Sequence, residues 1–83
     1  MRSVHDDIVN LEKQILQTED KLLDYLRSGY VGGIKKSLHS LDSDLKYLSI
    51  IANGAPIDKN EDRKIMDFLR VHYENMRNLS LPV

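Results

Sequence analysis

Hydrophobic residues recur every three or four positions in three separate stretches of the chain. The periodic positions are Val4, Ile8, Leu11, Ile15 and Leu22 in the first stretch, Ile34, Leu38, Leu41, Leu45, Leu48 and Ala52 in the second, and Ile65, Leu69, His72, Met76 and Leu79 in the third. This spacing places each set along one side of an α-helix. We therefore predict helices at about residues 4–28, 34–52 and 58–78, followed by an apolar tail at residues 79–83.

Local signals mark the ends of these predicted helices. Ser3 precedes the first helix and is followed three residues later by Asp6, a spacing typical of helix N-caps. Gly29 suits the left-handed backbone conformation that ends many helices. Asp58 and Glu61 repeat the capping spacing before the third helix. Because the connections between helices are short, we predict an all-α, antiparallel three-helix bundle in a single domain that covers the whole chain.

A second apolar stripe lies beside the main one on the first predicted helix. It consists of Val9, Leu16 and Leu23, and Glu12 and Glu19 project between the two stripes. An apolar arc this wide can contact two neighbours at once. Two interpretations stay open: the arc lies deep in the core of the bundle, or its outer part is left for another protein.

Size and composition favour self-association. The chain has 83 residues and no cysteine, so its small core cannot gain stability from disulfides, and oligomerisation is the common remedy. β-Branched Ile8 and Ile15 alternate with Leu11, a pattern typical of parallel two-stranded coiled coils, although Thr18 and Tyr25 depart from it. We therefore expect a long, coiled-coil-like first helix and a homodimer.

The charge balance excludes several classes of partner. Hydrophobic residues make up 41% of the chain and charged residues 30%, and the net charge is −1. This balance lacks the basic excess of typical nucleic-acid-binding proteins, and no apolar stretch is long enough to span a membrane. Residues 1–13 carry charges throughout, so we expect no signal peptide. Together with the absence of cysteine, this favours a cytoplasmic location.

Residues that carry catalysis or bind metals are not arranged in recognisable patterns. The serines of the second helix have no G-x-S-x-G surroundings. The Glu-x-x-His pairs of di-metal helical bundles do not occur in the sequence. We therefore expect no enzymatic activity, no cofactor and no metal site.

His72 occupies a position on the third apolar stripe, between Leu69 and Met76, where an aliphatic side chain would pack better. A neutral imidazole there needs a hydrogen-bond partner. Its protonation would place a charge in an interface and loosen that interface, which would make His72 a pH switch. The alternative is an ordinary seam histidine near the end of a helix.

A glycine-rich segment at residues 29–34 precedes two lysines, Lys35 and Lys36. Backbone N–H groups at a helix start, beside basic side chains, can contact an anion. However, the spacing and the preceding strand of a phosphate-binding loop are missing. A glycine hinge between two helices explains the segment without a ligand.

Basic residues of the second and third helices offer an alternative function. Lys35, Lys36, Arg63, Lys64 and Arg70 would form the contact surface of a small nucleic-acid-associated regulatory protein. Acidic residues alternate with the basic ones on the third helix, and three acids in its first turn would repel phosphates. The sequence therefore disfavours a nucleic acid as the partner.

Taken together, these patterns favour a small non-enzymatic protein-binding regulator or adaptor. It would mask a partner's surface through an apolar helical face, in the manner of small helical chaperones. The predicted partner-binding residues are Val9, Glu12, Leu16, Glu19, Leu23, Tyr25, Leu26, Leu79 and Leu81. The sequence does not identify the partner protein.

Overall fold

Three α-helices make up almost all of the computed structural model, which describes residues 3–80. Helix α1 covers Val4–Ser28, α2 covers Val31–Gly54 and α3 covers Lys59–Ser80. No strand occurs among these described residues. The predicted all-α helical bundle is confirmed. No helix in this part of the chain has the length and hydropathy needed to cross a membrane.

Two polar side chains cap helix starts and one glycine ends a helix, at the positions that the sequence signals predict. The Ser3 hydroxyl accepts a hydrogen bond of 3.1 Å from the backbone N–H of Asp6. The Asp58 carboxylate accepts one of 2.8 Å from the backbone N–H of Glu61. Gly29 adopts φ 71°, the left-handed conformation that side chains with a Cβ rarely take. These caps satisfy backbone groups that have no partner inside a helix.

Helix α2 begins earlier than predicted, at Val31, and includes two glycines in its first turn. A Cβ atom at Gly33 would lie 2.7 Å from the ring of Tyr25 on α1. Glycine is required there because the backbone of α2 lies directly against that ring. The close contact between the helices therefore outweighs the low helix propensity of glycine.

Helix α3 continues through Ser80, so part of the predicted apolar tail is helical. The Ser80 hydroxyl donates to the backbone carbonyl groups of Met76 and Arg77 at 2.7 and 3.0 Å. Leu79 is half-buried against the core. Residues 81–83, including the predicted contact residue Leu81, lie outside the described part of the chain.

The buried core draws on all three helices, but unequally. Its apolar members are Ile8, Leu11, Ile15 and Leu22 from α1, Ile34, Leu41, Leu45, Leu48 and Ala52 from α2, and Ile65 and Leu69 from α3. Helix α3 thus contributes only two buried side chains to the described core. Its remaining core-facing residues are partly buried, which leaves α3 the least enclosed of the three helices.

The helices are also spaced unequally. Helices α1 and α2 lie close together along their length, with Tyr25 against Gly33 and a 3.1 Å hydrogen bond from the Gln14 amide to the Asp44 carboxylate. By contrast, no Cα atom of α1 lies within 8 Å of a Cα atom of α3. Helices α1 and α3 therefore meet only through their side chains, and a groove runs between them.

Candidate functional site

The groove between α1 and α3 contains two clefts. One, of about 500 Å³, is lined by His5, Ile8, Val9, Glu12, Asp58, Asn60, Glu61, Lys64 and Ile65. The other, of about 300 Å³, is lined by Glu19, Asp20, Leu23, Asn75, Asn78 and Leu79. We call these residues, together with Leu16, which lies on α1 between the two clefts, the α1–α3 groove.

The second apolar stripe of α1 lies along this groove and is not part of the buried core. Leu16 is 46% exposed and Leu23 is 39% exposed. Val9 is half-buried in the wall of the larger cleft. The three residues are seven positions apart, so they form one line on the helix surface. The structure thus places the outer part of the wide apolar arc at the surface.

Two histidine–glutamate pairs connect α1 to α3 across the groove. Nδ1 of His72 on α3 lies 2.7 Å from Oε2 of Glu19 on α1, and both side chains are only 13% exposed. His5 on α1 forms the same kind of contact with Glu61 on α3. In each pair the carboxylate accepts the hydrogen bond, so the imidazole Nδ1 carries the donated proton.

The contact with Glu19 changes the expected effect of protonating His72. The sequence pattern predicts this histidine in an apolar seam, where a positive charge would loosen the interface. Here the imidazole faces a carboxylate, and its ring also packs against Phe68, with 4.1 Å between ring centroids. A protonated His72 would form an ion pair with Glu19, so loosening is no longer the expected result.

Glu12 lies between the two pairs and forms neither a hydrogen bond nor an ion pair with any residue that the structure describes. Burial raises the pKa of its carboxyl group, and the nearby Glu61 raises the pKa further. The imidazoles of His5 and His72 act in the opposite direction. Glu12 is thus a half-buried acid whose charge is poorly compensated.

The groove as a whole is acidic. Its lining contains five carboxylates and one lysine, namely Glu12, Glu19, Asp20, Asp58, Glu61 and Lys64. Two of the carboxylates contact histidines, and those contacts carry a positive charge only when the histidine is protonated. Residues 3–80 contain no group of three or more histidine or carboxylate side chains placed to hold a metal ion.

Two of the predicted contact residues lie away from the groove. Tyr25 packs against Gly33 and contacts Tyr30, with 5.5 Å between ring centroids and 35° between the ring planes. Leu26 packs against the buried core. Both side chains pack within the bundle, Tyr25 against the start of α2 and Leu26 against the core, and neither lines the two clefts.

The basic residues predicted as anion or nucleic-acid contacts are exposed but scattered. Lys35 and Lys36 lie near the start of α2 and form no ion pair within residues 3–80. Arg70 is 3.5 Å from Asp67 on its own helix. Lys64 lies among the carboxylates of the groove. Arg63 is exposed on α3, so the five predicted basic residues are divided between the start of α2 and the surface of α3.

Sequence reasoning identifies the α1 side of the groove but misses most of its α3 side. The sequence pattern assigns no role to His5, and it predicts Asp58 and Glu61 only as capping residues. Their position in the groove depends on the start of α3 lying beside the start of α1. The spacing of residues within one helix gives no information on that contact. Comparisons with protein-family models, curated proteins and solved structures found no match.

Proposed function

We propose that this chain is a non-enzymatic protein-binding module, a small regulator or adaptor, that takes an apolar helix of another protein into the α1–α3 groove. The observation that carries the proposal is the exposed line of Val9, Leu16 and Leu23. Apolar side chains at this spacing fit one face of an incoming helix. We place the chain in the cytoplasm because a sequence without cysteine is typical of reducing compartments.

The charge of the groove favours a different protein over a second copy of this chain. A dimer formed by two α1 helices would bring the acidic residues of both copies, such as Glu12 and Glu19, to one interface. Like charges at an interface disfavour association. The same acidic lining would repel the phosphates of a nucleic acid.

The proposal is tested with a designed neutral helix as the probe. The probe is a peptide of about 18 residues, roughly 27 Å long as a helix, with leucines along one face and glutamine and alanine elsewhere. We expect it to shift the methyl NMR signals of Val9, Leu16 and Leu23, and we expect the double substitution Leu16→Glu/Leu23→Glu to weaken its binding at least about tenfold.

A matched control separates this effect from a general loss of surface hydrophobicity. Ile50 and Met66 are 69% and 58% exposed and lie outside the groove. The variant Ile50→Glu/Met66→Glu should bind the peptide as the wild type does. NMR shifts confined to residues outside the groove would contradict the proposal. Loss of the helical circular dichroism signal in the Leu16→Glu/Leu23→Glu variant would also contradict it. A wild-type dimer that the Leu16/Leu23 substitutions dissociate would assign the groove to a second copy.

A further inference from the structure

We infer that the helix bound by the α1–α3 groove is cationic and that it places a lysine or arginine against Glu12. This inference rests on the proposed function and specifies the chemistry of the partner. The apolar line of α1 determines that the occupant has an apolar face. The charges around that line determine which charged side chains the occupant carries beside its apolar face.

Glu12 differs from the neighbouring glutamates of the groove in having no partner within residues 3–80. Glu19 and Glu61 each accept a hydrogen bond from a histidine across the groove. Glu12 has no such partner among the described residues, although it lies in the same groove and is half-buried. A half-buried carboxylate without a partner loses hydration that no contact replaces. A basic side chain from outside would supply that contact.

Negative charge predominates along the whole groove. Five carboxylates and one lysine line the two clefts. A neutral partner would bury some of these carboxylates and gain no compensating charge, and an acidic partner would be repelled. A partner with basic residues on the edges of its apolar face complements both the apolar line and the charge of the groove.

Glu12 also lies directly beside the apolar line of α1. Glu12 is three residues after Val9 and four before Leu16, so it lies beside both on the surface of α1. From Val9 to Leu23 the line is about 21 Å long, at 1.5 Å per residue. An incoming helix of four or five turns therefore covers it. A lysine or arginine flanking its apolar face can lay its methylene chain along Val9 or Leu16 and reach Glu12 with its charged end.

The experiment compares three peptides that differ only in the residue designed to face Glu12. All have the length and leucine face of the neutral probe, and the variable position is lysine, glutamine or glutamate. Affinities are measured by calorimetry with the full chain at low and high salt. We expect the lysine peptide to bind about three- to tenfold more tightly than the glutamine peptide at low salt, and the glutamate peptide to bind least well.

Two variants show whether the preference comes from Glu12. Glu12→Gln should bind the lysine and glutamine peptides equally. Glu74→Gln, the same change at an exposed α3 position outside the groove, should keep the preference for lysine. The preference should also decrease at high salt, because a partly exposed ion pair is screened.

The outcomes separate this inference from the function on which it rests. Equal affinity of all three peptides for the wild type, with NMR shifts in the groove, would overturn the cationic partner and leave the binding groove in place. A lysine preference that survives in Glu12→Gln would overturn the role of Glu12. Absence of binding by every peptide would overturn the proposed function itself.

Discussion

Glu12 has an unusual environment for a carboxylate on the surface of a helix. It is half-buried between α1 and α3, and burial is the main reason that its pKa is raised, followed by the negative charge of Glu61. The imidazoles of His5 and His72 compensate only in part. At the scale of single residues, the folded chain therefore disfavours the ionised form of Glu12 relative to the unfolded chain.

We predict that Glu12→Gln stabilises the unbound protein at neutral pH and not in acid. The pKa of Glu12 is higher in the folded chain than its ordinary value of 4.5. The folded state therefore retains this proton more readily, and stability decreases as the pH rises through the interval above 4.5. Glutamine, which carries no charge, avoids that decrease.

The measurement is the midpoint of thermal unfolding of wild type and Glu12→Gln at pH 7 and at pH 3.5. The variant should unfold at a higher temperature at pH 7, and the difference should shrink at pH 3.5, where the carboxyl is protonated in both states. Glu74→Gln carries the same chemical change outside the groove and should show no such gain. A difference of equal size at both pH values would rule out the electrostatic explanation.

At the scale of elements, the sequence predicts each helix better than it predicts their contacts. The bounds of α1 agree with the prediction because Ser3 and Gly29 are strong end signals. Helix α2 starts three residues before the predicted Ile34. The close contact of Gly33 with Tyr25 stabilises the helix there, and helix propensity alone does not include that contact. Local sequence signals therefore determine a helix end only where no other helix contacts that end.

The same distinction applies to the candidate site. The apolar line of α1 follows from spacing within one helix, so Leu16 and Leu23 were predictable as an outer stripe. The pair formed by Glu19 and His72 joins residues 53 positions apart. Its existence depends on how α3 is rotated and shifted relative to α1, and residue spacing within either helix does not fix that placement.

The pair formed by Glu19 and His72 should behave as a unit when the helices are probed by mutation. We predict that His72→Leu destabilises the fold by about 1–3 kcal/mol, because it leaves the largely buried Glu19 carboxylate without its hydrogen bond. The double variant Glu19→Leu/His72→Leu should recover most of that loss, because it replaces a buried polar pair with an apolar contact.

The measurement is a double-mutant cycle from urea unfolding of the wild type, the two single variants and the double variant. His39→Leu serves as the control, because His39 is exposed on α2 and should tolerate the change. Additive effects of the two single substitutions would show that the pair does not couple α1 to α3.

For the whole molecule, the unequal burial of the three helices predicts unequal stability. Ile65 and Leu69 are the only side chains of α3 that are buried in the described core, and neither is among the fully buried ones. No Cα atom of α3 approaches one of α1 within 8 Å. Opening α3 away from the other two helices therefore exposes less apolar surface than complete unfolding, and it leaves the closely packed α1 and α2 in contact.

We therefore predict that amide hydrogens of residues 65–76 exchange through a partial opening, at a lower free energy than those of residues 41–48 in α2. Exchange followed by mass spectrometry at increasing urea should show a weaker urea dependence for α3, because less surface is exposed when it opens. Identical free energies and urea dependences in both segments would mean that the bundle unfolds only as one unit. Because the opening of α3 and complete unfolding would both disrupt the proposed groove, binding of the neutral peptide should slow exchange in residues 65–76 and in residues 41–48 by the same factor.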